Sequence, residues 1–474
     1  MTMREVEVTP RSPERLVPLL RPDRARALEA MIGTSREVFA GRTIWNVSST
    51  AAGGGVAEML HGLVRYVRGA GVDCRWVVIE GTPAFFDVTK RIHNRIHGER
   101  GDDGDLGDEA RAVYQRVVDE NADRLLPLVG ADDVVILHDP QPLGLVDQLK
   151  ERGTKVVWRC HVGTEHFDRW TEEAWGFLRG WAETADAVVL SRAVYAPPWL
   201  DPARAHVIAP AIDPLSAKNQ PLDGATVLAI LGRAGIVDHP PDGAAFLDGE
   251  DQHRDVTVEA RVQRAGGPLG PDVPVLTQVS RWDRLKDMGG VLRAFVDGRV
   301  AGQTGAHLLL VGPDVTGVTD DPEGSRVLEE CIDAWKALSP GDRATVSLVT
   351  LPMAALDENA AVVNALQRHA TVVAQKSLHE GFGLTVSEAM WKGRPVVGSA
   401  VGGIQDQVRD GTDGLLVADP TDLGAFAAAV RTLLGDLDRA RSMGEAAHER
   451  VRDTYLADRD LRQWMELLGQ LGIG

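Results

Sequence analysis

Short runs rich in branched and aromatic residues alternate along this chain with longer stretches whose apolar positions recur every three to four residues. The first series predicts strands at 43–47, 75–79, 133–137, 155–160, 187–190 and 206–209. After the first strand, Val56, Met59, Leu60, Leu63, Val64 and Val67 fall at helical spacing, and Gly69 and Gly71 end that helix. Periodicity fades over 222–274, where Gly, Pro, Asp and Arg dominate, so 216–274 reads as a linker and surface insertion. A second series predicts strands at 275–279, 307–311, 345–351, 371–374 and 395–398, with a helix opening at Thr385 and running through Met390 and Trp391. Unbroken apolar strands separated by helices indicate parallel sheets buried on both faces. The expected fold class is α/β, with domains at 1–215 and 275–456 and a helical tail, 457–474, returning to the first domain.

Bulk composition narrows the function. At 474 residues the chain is too long for one core. A net charge of −18 argues against nucleic acid or an anionic membrane as partner, and three scattered cysteines support neither a disulfide framework nor a zinc site. No apolar stretch approaches a membrane span, and the opening residues form no signal peptide, so a cytoplasmic location is expected.

The chemistry concentrates in SLHEGFGLTVSEAMWKGRPVV, 377–397. Glu380 precedes Gly381, Phe382 and Gly383, whose glycines admit a ligand close to backbone N–H groups. Leu384 and Thr385 lead into the helix, whose start favours a phosphate. Glu380 is placed to accept hydrogen bonds from sugar hydroxyls. Glu388 has two readings: a ligand contact one turn into the helix, or the closing member of a capping box with Thr385. A second cluster, Arg281 to Lys286 after the strand at 275–279, offers cations suited to a diphosphate, or else a solvated charge run. In the first domain the strands ending at 137 and 160 present Asp139 and His161 at the sheet edge where ligands bind in open α/β folds. A turn aspartate and a core histidine are the structural alternatives. The loop containing Gly54 and Gly55 is a weak phosphate-cradle pattern, equally readable as a tight turn. His93 and His97 stand four apart but lack a third ligand, and Asp103-Gly104-Asp105 lies in an acidic glycine loop; no metal is expected.

Taken together, NVSSTAAGGGVAEMLHGLV, WVVIEGTPAFFDVTKRIHN, LHDPQPLGL, VVWRCH, IDPLSAKN, VLTQVSRWDRLKD, DDPEG, VNALQRHA and EGFGLTVSEAMWKGRPVVGSAVGGI resemble the trehalose glycosyltransferring synthases and trehalose phosphorylases of retaining glycosyltransferase family 4. The Glu, seven residues, Glu spacing of Glu380 and Glu388 is that family's signature. The resemblance implies a GT-B fold, two Rossmann-like domains facing across a cleft, and transfer of glucose from a nucleoside diphosphate glucose (UDP- or ADP-glucose) to free glucose, giving α,α-trehalose with retention. It assigns the donor phosphates to Arg281, Lys286, Gly54 and Gly55, the donor glucose hydroxyls to Glu380 and the ribose to Glu388. His161 would contact the transferred sugar near its reacting carbon, and Asp139 would help to place the sugars. Donor binding would extend over Gly381, Phe382, Gly383, Leu384 and Thr385. The implied partners are small sugars, neither nucleic acid nor membrane, with a homodimer as the candidate assembly and no cofactor or metal. After WRCH the chain continues VGTEHFDRW, unlike the family's usual segment, which keeps another small hydroxylic acceptor open beside glucose; the resemblance itself leaves a phosphorylase open beside a synthase. A glycoside hydrolase using Glu380 and Asp139 would leave Arg281 and Lys286 without a role. A non-catalytic sugar-nucleotide sensor is the alternative outside enzymes.

Overall fold

The computed structural model describes residues 3–51, 55–315 and 322–472. The chain divides into two compact units, Met1–Ala211 with Tyr455–Gly474, and Ile212–Thr454.

In the first unit seven strands form one sheet: β1 (Arg4–Glu5), β2 (Thr43–Ser48), β3 (Asp73–Val78), β4 (Val134–His138), β5 (Lys155–Cys160), β6 (Ala187–Leu190) and β7 (Ala205–Val207). Their order is β1-β3-β2-β4-β5-β6-β7, parallel except for β1, which adds antiparallel to β3. β4 and β6 are buried at every residue because helices cover both faces. One face packs Tyr114, Trp175 and Trp181. The other packs Leu60 and Val64 of the helix Gly55–Gly69 together with Trp464, Leu467 and Leu468 of the helix Ala457–Gln470. Burying each of those three tail residues is worth about 1.5–3 kcal/mol, which is why the tail belongs to this unit. Asp458 at its start adds an ion pair with Arg24.

The second unit holds β10 (Arg261–Gln263), β11 (Val275–Val279), β12 (His307–Pro313), β13 (Val346–Leu351), β14 (Val372–Gln375), β15 (Val396–Ser399) and β16 (Gly414–Val417), after a small hairpin of β8 (Ala245–Leu247) and β9 (His253–Asp255). Strand order is β10-β13-β12-β11-β14-β15-β16, again parallel save for β10 at the edge. The segment expected as a linker and surface insertion departs from that reading. It supplies the helix Gly224–Arg233, with Val227, Ala229, Ile230 and Leu231 buried against the helix Leu356–His369, and β10 pairs with β13. Its Gly- and Pro-rich turns mask a ten-residue helix whose apolar positions are nearly continuous rather than periodic. Strands β1, β10 and β16 carry no expectation from the sequence; two have only two or three residues.

Both sheets contain a point where the strand order reverses. In the first it lies between β2 and β4, in the second between β11 and β14. Loops leaving the carboxyl ends of such a pair diverge to opposite faces and open a crevice, the usual ligand position in this class of sheet.

Candidate active site

In the second unit, the loops after β11 and β14 meet at the strand-order reversal. Gln278, buried in β11, holds both: its Nε2 donates to the Lys286 carbonyl at 2.6 Å, and its Oε1 accepts the Lys376 N–H at 2.9 Å. The Leu378 N–H donates to the Leu285 carbonyl at 2.7 Å. Asp287 stands at φ 43°, caps the helix Met288–Asp297 through the Gly290 N–H, and pairs with the buried ammonium of Lys376. These ties fix the backbone around Lys286, whose Nζ lies 2.5 Å from Glu380 Oε2. Gln375 Nε2 and the Ser377 hydroxyl approach the same oxygen at 3.4 and 3.3 Å.

Gly383 follows with φ 82°, a left-handed conformation that a side chain resists, and acts as N-cap of the helix Leu384–Trp391. Gly403 lies so close to Phe382 that a Cβ there would come within 2.7 Å of its backbone. Gln407 completes the clamp, its Nε2 donating to the carbonyls of Phe382 and Gly383 at 2.6 and 3.2 Å while its Oε1 accepts from the Ser387 hydroxyl. The glycine loop is thus held from behind and its N–H groups form the start of a helix.

The capping-box reading of Glu388 fails. The helix begins one residue earlier than expected, Thr385 is not the N-cap, and its hydroxyl donates to Gln375 Oε1 at 2.9 Å. Glu388 is instead buried, with the Lys218 ammonium 3.3 Å from its Oε1. A buried carboxylate stays charged only beside such a partner. Arg281 is not drawn into the cluster: its side chain is 65% exposed and contacts Asp283 at 3.2 Å.

The first unit places a second group at its own reversal point. Asp139, directly after β4, has φ 67°. Its N–H donates to the Arg159 carbonyl, its carbonyl accepts from Trp158 Nε1, and its Oδ1 accepts the His161 N–H at 2.8 Å. Strained backbone pinned at three points is a recurrent mark of functional sites. Burial pushes the Asp139 carboxyl up to about 6, and burial with the neighbouring Arg159 cation holds His161 well below the ordinary histidine range. His161 Nε2 lies 3.1 Å from Nδ1 of His138. Gly55 begins the helix Gly55–Gly69, whereas Gly54 lies outside the described residues. Among the described residues no group of His, Cys, Asp and Glu is placed to hold a metal ion, and no helix is long and apolar enough to cross a membrane.

Lys218, Gln278, Lys376, Gln407, Asn46 and His138 carry no role in the sequence reading. The legible sign for Asn46 and Gln278 is a polar residue inside an apolar strand; Lys218 and Lys376 give none, because nothing local tells a buried lysine from an exposed one.

Comparison with known proteins agrees with this architecture. A family model described as "Trehalose synthase, N-terminal domain" matches residues 46–197, and one described as "Glycosyl transferases group 1" matches 355–450. Proteins named trehalose synthase from Pyrococcus horikoshii and Rubrobacter xylanophilus are each 35% identical, over 92% and 90% of this chain and 92% and 91% of their own. A trehalose phosphorylase from Pleurotus pulmonarius is 28% identical over 89% of this chain and 56% of its own. Among solved structures, sucrose-phosphate synthase from Thermosynechococcus elongatus superposes with a TM-score of 0.63 at 20% identity, covering 91% of this chain and 99% of the other. A trehalose-6-phosphate synthase gives 0.64 at 15%, with coverage of 91% and 99%. These structural likenesses establish the GT-B fold. With the sequence matches running through both units, the chain belongs to the trehalose synthase family of retaining GT-B glycosyltransferases, enzymes of trehalose-related glycosyl transfer.

Proposed function

We propose that the protein transfers glucose from a nucleoside diphosphate glucose to free glucose and forms α,α-trehalose with retention. The observation that carries this reading is the Lys286–Glu380 pair at 2.5 Å, set beside the Gly381–Phe382–Gly383 loop at a helix start. A sugar diphosphate has two parts needing opposite partners, hydroxyls for a carboxylate and phosphates for cations and N–H groups. Glu380 takes the glucose hydroxyls, Lys286 and the helix start at Gly383, Leu384 and Thr385 take the diphosphate, and Glu388 takes the ribose. Arg281, exposed on the surface, is assigned to the phosphates as well, and the family resemblance assigns Gly54 and Gly55 to them. His161 and Asp139 belong to the sugar being transferred. The chemistry needs no metal, since Lys286 and the N–H groups neutralise charge on the departing phosphate.

In the reaction the bond from C1 of the donor glucose to the phosphate oxygen breaks, and a bond from C1 to the acceptor oxygen forms on the same face. The acceptor's proton passes to the leaving phosphate. No carboxylate is needed as nucleophile.

The test is incubation with UDP- or ADP-glucose and glucose. A non-reducing disaccharide cleaved by trehalase, with nucleotide released, is expected. A phosphorylase is the second reading, favoured by the phosphorylase relative that matches 89% of this chain. It predicts that trehalose is consumed only when inorganic phosphate is added, with glucose 1-phosphate accumulating.

A further inference from the structure

We infer that Asn46 and His138 are positioning residues that fix His161 as the neutral tautomer with its proton on Nε2 and a bare lone pair on Nδ1. The inference deepens the proposed site and rests on reading His161 as a sugar contact.

The proton inventory starts from backbone and runs outward, with His138 neutral. The Arg75 carbonyl can only accept, so the Asn46 Nδ2 that lies 3.4 Å from it donates. Nδ2 also approaches Cys74 Sγ at 3.4 Å. The Asn46 Oδ1 therefore faces His138, 3.0 Å from its Nε2, and requires a proton there. A neutral His138 then has only a lone pair on Nδ1. His161 Nε2, 3.1 Å away, must supply the proton for that contact. His161 is left with a lone pair on Nδ1, which is shielded from solvent and meets no hydrogen-bond partner among the described residues.

Two observations support the neutral state of His138. It is 2% exposed, and the charged group facing it is the Arg159 guanidinium, so burial and like charge together hold it down to about 3. The two imidazoles lie nearly parallel, 5.4 Å between centroids at 17°, and the His161 backbone is fixed separately by Asp139. Ring and backbone of His161 are thus both held by the adjacent residues His138 and Asp139.

The consequence is chemical. Nδ1 carries only a lone pair and is enclosed where it stands, so an O–H donor, the class to which a sugar hydroxyl belongs, reaches it only when the side chain moves. That nitrogen holds no proton to give the departing phosphate, in keeping with a proton that comes from the incoming hydroxyl.

Nitrogen NMR of protein labelled with 15N-histidine tests this, since ring nitrogens with and without a proton resonate far apart. The His161 signals are assigned by their loss in His161→Gln. The expected result for the unaltered protein is a neutral His161 with a protonated Nε2 and a bare Nδ1. In His138→Phe, which removes the acceptor, His161 should populate both tautomers and kcat/KM for glucosyl transfer should fall about ten- to a hundredfold. A proton on Nδ1 in the unaltered protein overturns the inference, and that measurement needs no variant to fold. So does a His138→Phe protein with unchanged tautomer and unchanged rate. Full activity in His161→Gln would instead remove His161 from the proposed sugar site while leaving the tautomer measurement to stand or fall by itself.

Discussion

The Lys286 ammonium sits 2.5 Å from a carboxylate oxygen of Glu380, so the cation proposed for the leaving diphosphate and the anion proposed for the sugar neutralise each other. A donor that binds both ends exchanges this contact for two, and Lys286 becomes free to follow negative charge as it develops. An interaction that strengthens in the transition state raises kcat rather than lowering KM.

Lys286→Ala should therefore cut kcat by about 10²–10³ and change KM far less. Arg281→Ala should cost less, because that side chain is 65% exposed and paired with Asp283. Steady-state kinetics on both variants check the order; an intact kcat in Lys286→Ala contradicts the assignment.

Glu388→Gln should raise the inhibition constant of the nucleoside diphosphate by about tenfold, since a ribose hydroxyl loses a charged acceptor. Lys218→Met should lose a comparable amount of nucleotide affinity and also lower the melting temperature. It leaves the buried Glu388 carboxylate without the ammonium 3.3 Å away. Calorimetry of nucleotide binding decides; unchanged affinity in both variants removes the ribose role.

Much of this arrangement could be read from the chain. The parallel strands at 155–160 and 275–279 are recognisable because unbroken apolar runs must be buried on both faces. Their polar termini point to His161 and to the cations after β11 for the same reason. What could not be read is long-range. Lys218 lies 170 positions from Glu388, and Lys376 meets Asp287 across two loops, pairings that only the sheet order creates. The capping-box pattern at Thr385 misled because Gly383, free to adopt φ 82°, starts the helix earlier. The helix Gly224–Arg233 was hidden because its apolar residues from Val227 to Leu231 run consecutively and mask the helical period.

Asp139→Asn should alter stability in a pH-dependent way. Burial raises the carboxyl from 3.8 to about 6, so the folded chain holds a proton that the unfolded chain has released. That contribution is complete below about pH 4 and disappears as pH rises through 6. The variant should gain stability relative to the unaltered protein between pH 4 and pH 7, by about 1–3 kcal/mol. Denaturant unfolding at the two pH values tests this, and a pH-independent difference contradicts it. Asparagine also tolerates the left-handed backbone at this position.

Activity should survive an excess of EDTA, because the proposed charge neutralisation comes from Lys286, Arg281 and the helix start. Inactivation by the chelator with recovery on adding magnesium would show that the cations of the chain are insufficient.

An isotope experiment reads transfer from a nucleotide sugar to free glucose directly. Unlabelled UDP- or ADP-glucose and glucose carrying 13C at C1 are incubated with the protein and followed by NMR. The expected product is α,α-trehalose with label at one of its two anomeric carbons, with one nucleoside diphosphate released per disaccharide. Nucleotide release with all the label remaining in free glucose, or no release until phosphate and trehalose are supplied, would contradict it.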